Sequence, residues 1–230
     1  MKRVAKALLC VSLFICPTNA SYRFDTNGEA AGRDANHPSS ELFTACGWAR
    51  QQVDTNANAV IFIIVDSTLG DSVSMTTSAD GTSLIVQDTD AASSTIASLV
   101  INQWFGWCVT GDGTGAGGLD GYYILPGQTT FTTQSTGGEA LTEADTRIGG
   151  LEGAGVVFNG DIFNVKCWDA VLSQAEMLNE LFHIRLMRSH NINFWWPLWG
   201  IWSTQDFSGN GRPATVFNAV TGSDLPPIGW

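Results

Sequence analysis

Apolar positions along this chain come in short runs, not in long helical stripes. "SYRF", "FTACGWAR", "AVIFIIV", "TSLIVQ", "QWFGWCVT", "GYYILPG", "VVFNGDIFNVKCW", "NFWWPLW" and "ATVFNAV" follow one another between Gly, Asp, Asn, Ser and Thr clusters such as "DTNGEAAGRDANHPSS", "TGDGTGAGGLDG", "STGGEALTEADT" and "DFSGNGRP". Turn formers in those separators stop each strand and reverse the chain. Many short strands punctuated in this way predict an all-β fold, a two-sheet antiparallel jelly-roll sandwich. One segment breaks the pattern. In "WDAVLSQAEMLNELFHI", Ser173 precedes Glu176 by three residues, a capping box, and Met177, Leu178, Leu181 and Phe182 then recur at helical spacing. A short helix near residues 173–183 is expected, docked by that apolar face. Neither an internal repeat nor a linker divides the rest.

The densest aromatic stretch is "NINFWWPLWGIW", Asn191–Trp202, which holds four of the nine tryptophans. Read as a strand, it turns Phe194, Trp196 and Leu198 one way and Trp195 and Trp199 the other. Both faces are apolar, so both call for cover. Pro197 lacks an amide and predicts an edge or a bulge. Trp196 is expected in the core. Trp195, Trp199 and Trp202 are the candidate ligand-binding residues, because a ring left open can stack on a sugar face.

Composition sharpens the picture in three ways. Net charge is −11 and lysine and arginine form no cluster, which excludes nucleic acid as an expected partner. "MKRVAKALLCVSLFICPTNA" has a basic start, an apolar stretch from Ala7 to Cys16 too short to span a bilayer, and small residues at 18–20. That is signal-peptide patterning, and it predicts a secreted protein without a transmembrane span whose domain is residues 21–230. If retained, residues 1–20 would pack into the protein's own core or against a neighbouring subunit. Beyond them lie Cys46, Cys108 and Cys167, an odd number that allows at most one disulfide within the domain and leaves its pairing open. Each sits beside a tryptophan in an apolar run, as a small buried hydrophobe would.

Taken in order, these segments resemble the laminin-G-like branch of the concanavalin A-like lectin/glucanase superfamily. "YRFDT" resembles the opening strand, "FTACGWAR" a Phe-Thr-x-x-x-Trp strand, and "NQWFGWCVTGDG" a Trp-x-x-x-x-Val-Thr strand and turn. "FNGDIFNVKCWDAVLSQAEMLNEL" is similar to the family's Gly-x-Ile-x-x-Val-x-x-Trp strand with its Leu-Ser-x-x-Glu helix. "FWWPLWG" and "DFSGNG" are similar to the strand and turn that follow. The resemblance implies two packed antiparallel sheets, and it spans glycan-binding and adhesion modules, virion-associated proteins and glycosidases. Fold alone does not choose among them.

The residues narrow the choice. Glycosidases of this superfamily carry Glu-x-Asp-x-Glu on one strand, whose two glutamates are nucleophile and acid/base. Here "Glu143-Ala-Asp145-Thr-Arg147" puts an arginine in place of the second glutamate, in what reads as a solvated turn. There is no Gly-x-Ser-x-Gly elbow and no phosphate loop. His183 and His190 fall at or after the expected helix end, where a cation complements the dipole. No catalysis is expected. Relatives by resemblance hold calcium, for which Asp25, Asp206 and Asn210 are the candidate ligands, with Asp112 a further one. Calcium needs six to eight oxygens, and the competing reading of Asp206 is an Asx-type turn that caps its own backbone. Two functions fit: a non-catalytic extracellular module that binds a glycan or cell-surface ligand, or a structural subunit that meets copies of itself in a filament or virion.

Overall fold

The structure is a computed structural model that describes residues 21–24, 30–33, 42–53, 58–66, 72–88, 93–113, 118–137, 144–150, 157–199, 205–217, 220–221 and 226. Within them, fifteen strands and one helix form two antiparallel sheets and a covering layer, as the run-and-turn pattern predicts. Eight strands make the first sheet: β1 (Tyr22–Phe24), β3 (Leu42–Gln51), β8 (Trp104–Asp112), β9 (Leu119–Ile124), β10 (Thr132–Thr136), β12 (Gly160–Trp168), β13 (Ile192–Trp196) and β15 (Val220–Thr221). Its order is β10-β9-β8-β3-β12-β1-β15, with β13 also paired to β12. The second sheet runs β14 (Thr215–Phe217), β2 (Ala30–Arg33), β11 (Ala144–Ile148), β4 (Val60–Asp66), β5 (Ser72–Thr77), β6 (Ser83–Asp88), β7 (Ser93–Ser98).

Between the sheets lies one core, in which Phe24, Phe62, Met75, Val86, Phe105, Trp107, Ile162, Val165 and Trp196 are buried. The long central strands are apolar on both faces because a second layer covers their backs. Cys46, Trp48, Cys108, Ile124, Phe163 and Trp168 point away from the core and pack with Met177 and Leu181 of α1 (Gln174–Phe182). Close approach demands a glycine here: a Cβ on Gly106 would sit 2.8 Å from Ile124 and 3.2 Å from Leu181. Helix α1 begins at the expected capping box, with Ser173 Oγ accepting from the Glu176 amide and Glu176 Oε2 accepting from the Ser173 amide. Hydrogen bonds from Ser173 hold the Glu176 carboxyl below its usual pKa.

Cys46 and Cys108 face each other in the β3–β8 register and form a disulfide. Cys167 is a buried thiol, and burial pushes its pKa well up. One expectation is corrected. Asp145 and Arg147 are not in a solvated turn but in β11, between β2 and β4. Thr146 and Ile148 face inward with no exposure, while Asp145 and Arg147 share the other face and pair at 3.3 Å. Two-residue alternation set this strand, and the neighbouring glycines masked it in sequence.

Candidate functional site

The aromatic segment splits as its alternation dictates only as far as Trp196; the strand expected to continue ends there, and Leu198 takes a left-handed backbone conformation. Phe194, Trp196 and Leu198 enter the core; Phe194 and Trp196 stack with ring centroids 3.8 Å apart. The Trp196 indole N–H donates to the Arg212 carbonyl at 2.8 Å. Strand β13 stops at Trp196, and Pro197 carries the chain off the sheet, its carbonyl accepting from the Asn164 amide. Asn164 takes a left-handed backbone conformation at a shift in the β3–β12 register, and asparagine tolerates it.

Trp195 faces outward and is half-buried. Four contacts fix it. Its indole N–H donates to Asn164 Oδ1 at 2.7 Å, and its backbone amide donates to Asp206 Oδ1 at 3.0 Å. The Lys166 ammonium lies 5.7 Å from its ring centroid, and Phe207 meets the ring edge-on at 5.6 Å. Phe207 is 41% exposed. Trp195 and Phe207 thus form an aromatic pair at the surface, on a strand edge and a turn pinned to it by the Phe207 amide on the Trp195 carbonyl. Trp199 is half-buried against Phe163, centroids 5.7 Å apart. Trp202 and Asp25 lie outside the described residues.

Asp206 and Asn210 share one turn, and backbone satisfaction occupies both. Asp206 Oδ1 accepts from Trp195 and Ser208 amides, and Oδ2 accepts from the Arg212 amide. Asn210 Nδ2 donates to the Ile192 and Asn193 carbonyls. This donor set fits an Asx-type anchor better than a calcium cage: three lone pairs of one carboxylate are already used, and among the described residues no three His, Cys, Asp or Glu side chains converge. Asp112 opens the β8–β9 hairpin, its amide bonded to the Gly118 carbonyl.

Behind Trp195 is a buried charge network. Lys166 and Glu180 are each 1% exposed and paired at 2.9 Å. Lys166 also donates to the carbonyls of Glu180, His183 and Arg185, which end the helix and begin the next loop. Glu180 in turn accepts from the Met187 and Arg188 amides. Burial lowers the Lys166 pKa, and Glu180 opposes that shift. The cation satisfies orphan carbonyls at a helix C-terminus. His183 caps the same helix end, Nδ1 lying 2.7 Å from the Asn179 carbonyl, so Nδ1 carries the proton.

A second cluster was not foreseen. Arg23, Asp161, Arg50 and Trp104 fall in one row of register across β1, β12, β3 and β8. Asp161 is fully buried. Its Oδ2 accepts from Arg50 Nε (2.9 Å), Arg50 Nη2 (2.6 Å) and Gln52 Nε2 (2.7 Å), and its Oδ1 from Arg23 Nε (3.1 Å). Arg50 also lies 5.0 Å from the centroid of Trp104. The sequence signal was isolated charges in three apolar runs; joining them needs a register that spans 138 residues.

No protein-family model and no curated protein sequence matches this chain. Solved structures do. A heptameric SAP-like pentraxin from Limulus polyphemus superposes with a TM-score of 0.59 at 14% identity, over 90% of this chain and 96% of the pentraxin. The chain has a concanavalin A-like fold. A protein of Bacteroides ovatus described as carbohydrate binding superposes with a TM-score of 0.63 at 13% identity, over 93% of this chain; the chain spans 63% of that protein. Domain 4 of an extracellular GH43 arabinanase from Geobacillus stearothermophilus, solved with arabinotriose, gives 0.50 at 12% identity, over 70% of this chain and 75% of that domain. At these identities the likeness is one of fold. Among the described residues no helix of this sandwich is long and apolar enough to cross a membrane.

Proposed function

We propose that this concanavalin A-like domain is a non-catalytic extracellular module that binds glycans through the Trp195–Phe207 pair. The observation that carries the reading is the pair itself: two aromatic rings at the surface, locked from behind by Asn164, Asp206 and Lys166. Preorganised rings lose little entropy when a sugar stacks on them. The Cys46–Cys108 disulfide supports an oxidising, extracellular setting. Arg147 supports the non-catalytic part, because it stands where a glycosidase of this superfamily needs its second carboxylate and is paired to Asp145.

The test is a panel of neutral oligosaccharides measured by calorimetry against the wild type, Phe207→Ala and Trp195→Ala. At least one saccharide should bind, and Phe207→Ala should weaken it roughly five- to hundredfold, if its ring stacks on a sugar with about the 1–3 kcal/mol that a base gains on an aromatic side chain. Melting of Phe207→Ala should stay close to the wild type, because the ring is exposed. Binding that survives both substitutions would refute the site. Fibres or shells in electron micrographs, with no saccharide bound by any variant, would replace the reading with self-assembly.

A further inference from the structure

We propose that the Arg23–Asp161–Arg50 row is a second recognition site, which takes the carboxylate of an acidic sugar. It rests on the glycan reading only for the sugar; the anion site stands on its own geometry. Both oxygens of the buried Asp161 need donors: Arg50 with Gln52 covers Oδ2, and Arg23 covers Oδ1 through its Nε alone. Arg23 adds a second guanidinium to the same buried carboxylate, on the oxygen that Arg50 does not reach in the bonds described.

Arg23 is held by its Nε alone. Among the described residues its two terminal nitrogens bond nothing, and its side chain is 30% exposed. Asp161 therefore orients the guanidinium from behind and leaves the outer fork open. That fork matches a planar carboxylate in a bidentate grip. On the far side of Asp161, Trp104 backs Arg50 and keeps it in place.

Calorimetry with oligogalacturonate and a neutral oligogalactoside of equal length tests this, on the wild type, Arg23→Gln and Arg23→Lys. Arg23→Gln keeps a donor for Asp161, and Arg23→Lys keeps the charge but not the fork. The wild type should bind the acidic oligomer at least tenfold more tightly, and the preference should shrink between 50 and 500 mM NaCl by screening, as roughly expected from the Debye length. Arg23→Gln should abolish the preference and Arg23→Lys should retain only part of it, with neutral binding and melting temperature unchanged. Equal affinity for both oligomers, or a preference that survives Arg23→Gln, would overturn the proposal. Polyglutamate that binds as tightly as oligogalacturonate would overturn the assignment to sugars. Loss of neutral binding alone, in Phe207→Ala, reports on the Trp195–Phe207 site and leaves this one intact.

Discussion

Removing the Cys46–Cys108 disulfide should lower stability by about 4 kcal/mol, following the loop-closure relation for a crosslink between residues 62 apart. The two cysteines oppose each other in adjacent central strands of the eight-stranded sheet, and both are buried under the helix layer. The bond thus ties strands that already pair, and its main effect falls on the unfolded chain, whose 62-residue loop it closes. Guanidinium unfolding, followed by tryptophan fluorescence, of protein refolded with and without reductant measures the difference. With a denaturant slope of about 4–6 kcal/mol/M, the midpoint should fall by roughly 0.7–1 M in reductant. Cys46→Ala/Cys108→Ala should fall slightly further, because two buried sulfurs go with the crosslink. Peptide mapping of the oxidised protein should show Cys46 joined to Cys108 and Cys167 as a thiol. Midpoints within about 0.1 M of each other would refute the argument, as would a crosslink that involves Cys167.

Trp196→Ala should cost about 3–5 kcal/mol in denaturant unfolding, because a fully buried indole leaves a cavity beside Phe194. Lys166→Met should cost about 3–5 kcal/mol by leaving Glu180 buried without its cation. The double variant Lys166→Met/Glu180→Leu should lose less than the sum of the two single changes, a coupling that a double-mutant cycle reads directly. Asp80, in the β5–β6 turn, has its pKa held at about 2, against 3.8, by the Ser78 hydroxyl and by the Thr82 amide and hydroxyl. Its contribution to stability should be present above pH 3.8 and fade as pH falls towards about 2. Asp80→Asn should remove that part of the acid sensitivity, and a carboxyl titration by NMR gives the pKa itself.

The elements that sequence made legible share a local cause. Alternation in "FWW" sorted Trp196 from Trp195 because the faces of a strand repeat every two residues, and the capping box marked the start of α1 because both partners lie within one turn. The features it hid depend on register. Nothing near Arg23 points to Asp161, and nothing near Lys166 points to the carbonyls that end α1, until β12 is set between its neighbours. Phe207 carried a faint signal, a single ring in the otherwise polar turn "DFSGNG", and only the fold sets it against Trp195. Strand β11 was missed for the opposite reason: its alternation covers five residues, too few to stand out beside a glycine cluster.

The most direct test of glycan recognition at Trp195 and Phe207 watches the Trp195 indole N–H while a saccharide identified by the panel is added. Its resonance, assigned by its loss in Trp195→Phe, should shift in step with saturation, while those of buried Trp48, Trp107 and Trp168 stay in place. A saccharide that saturates the protein without moving that resonance would contradict the account.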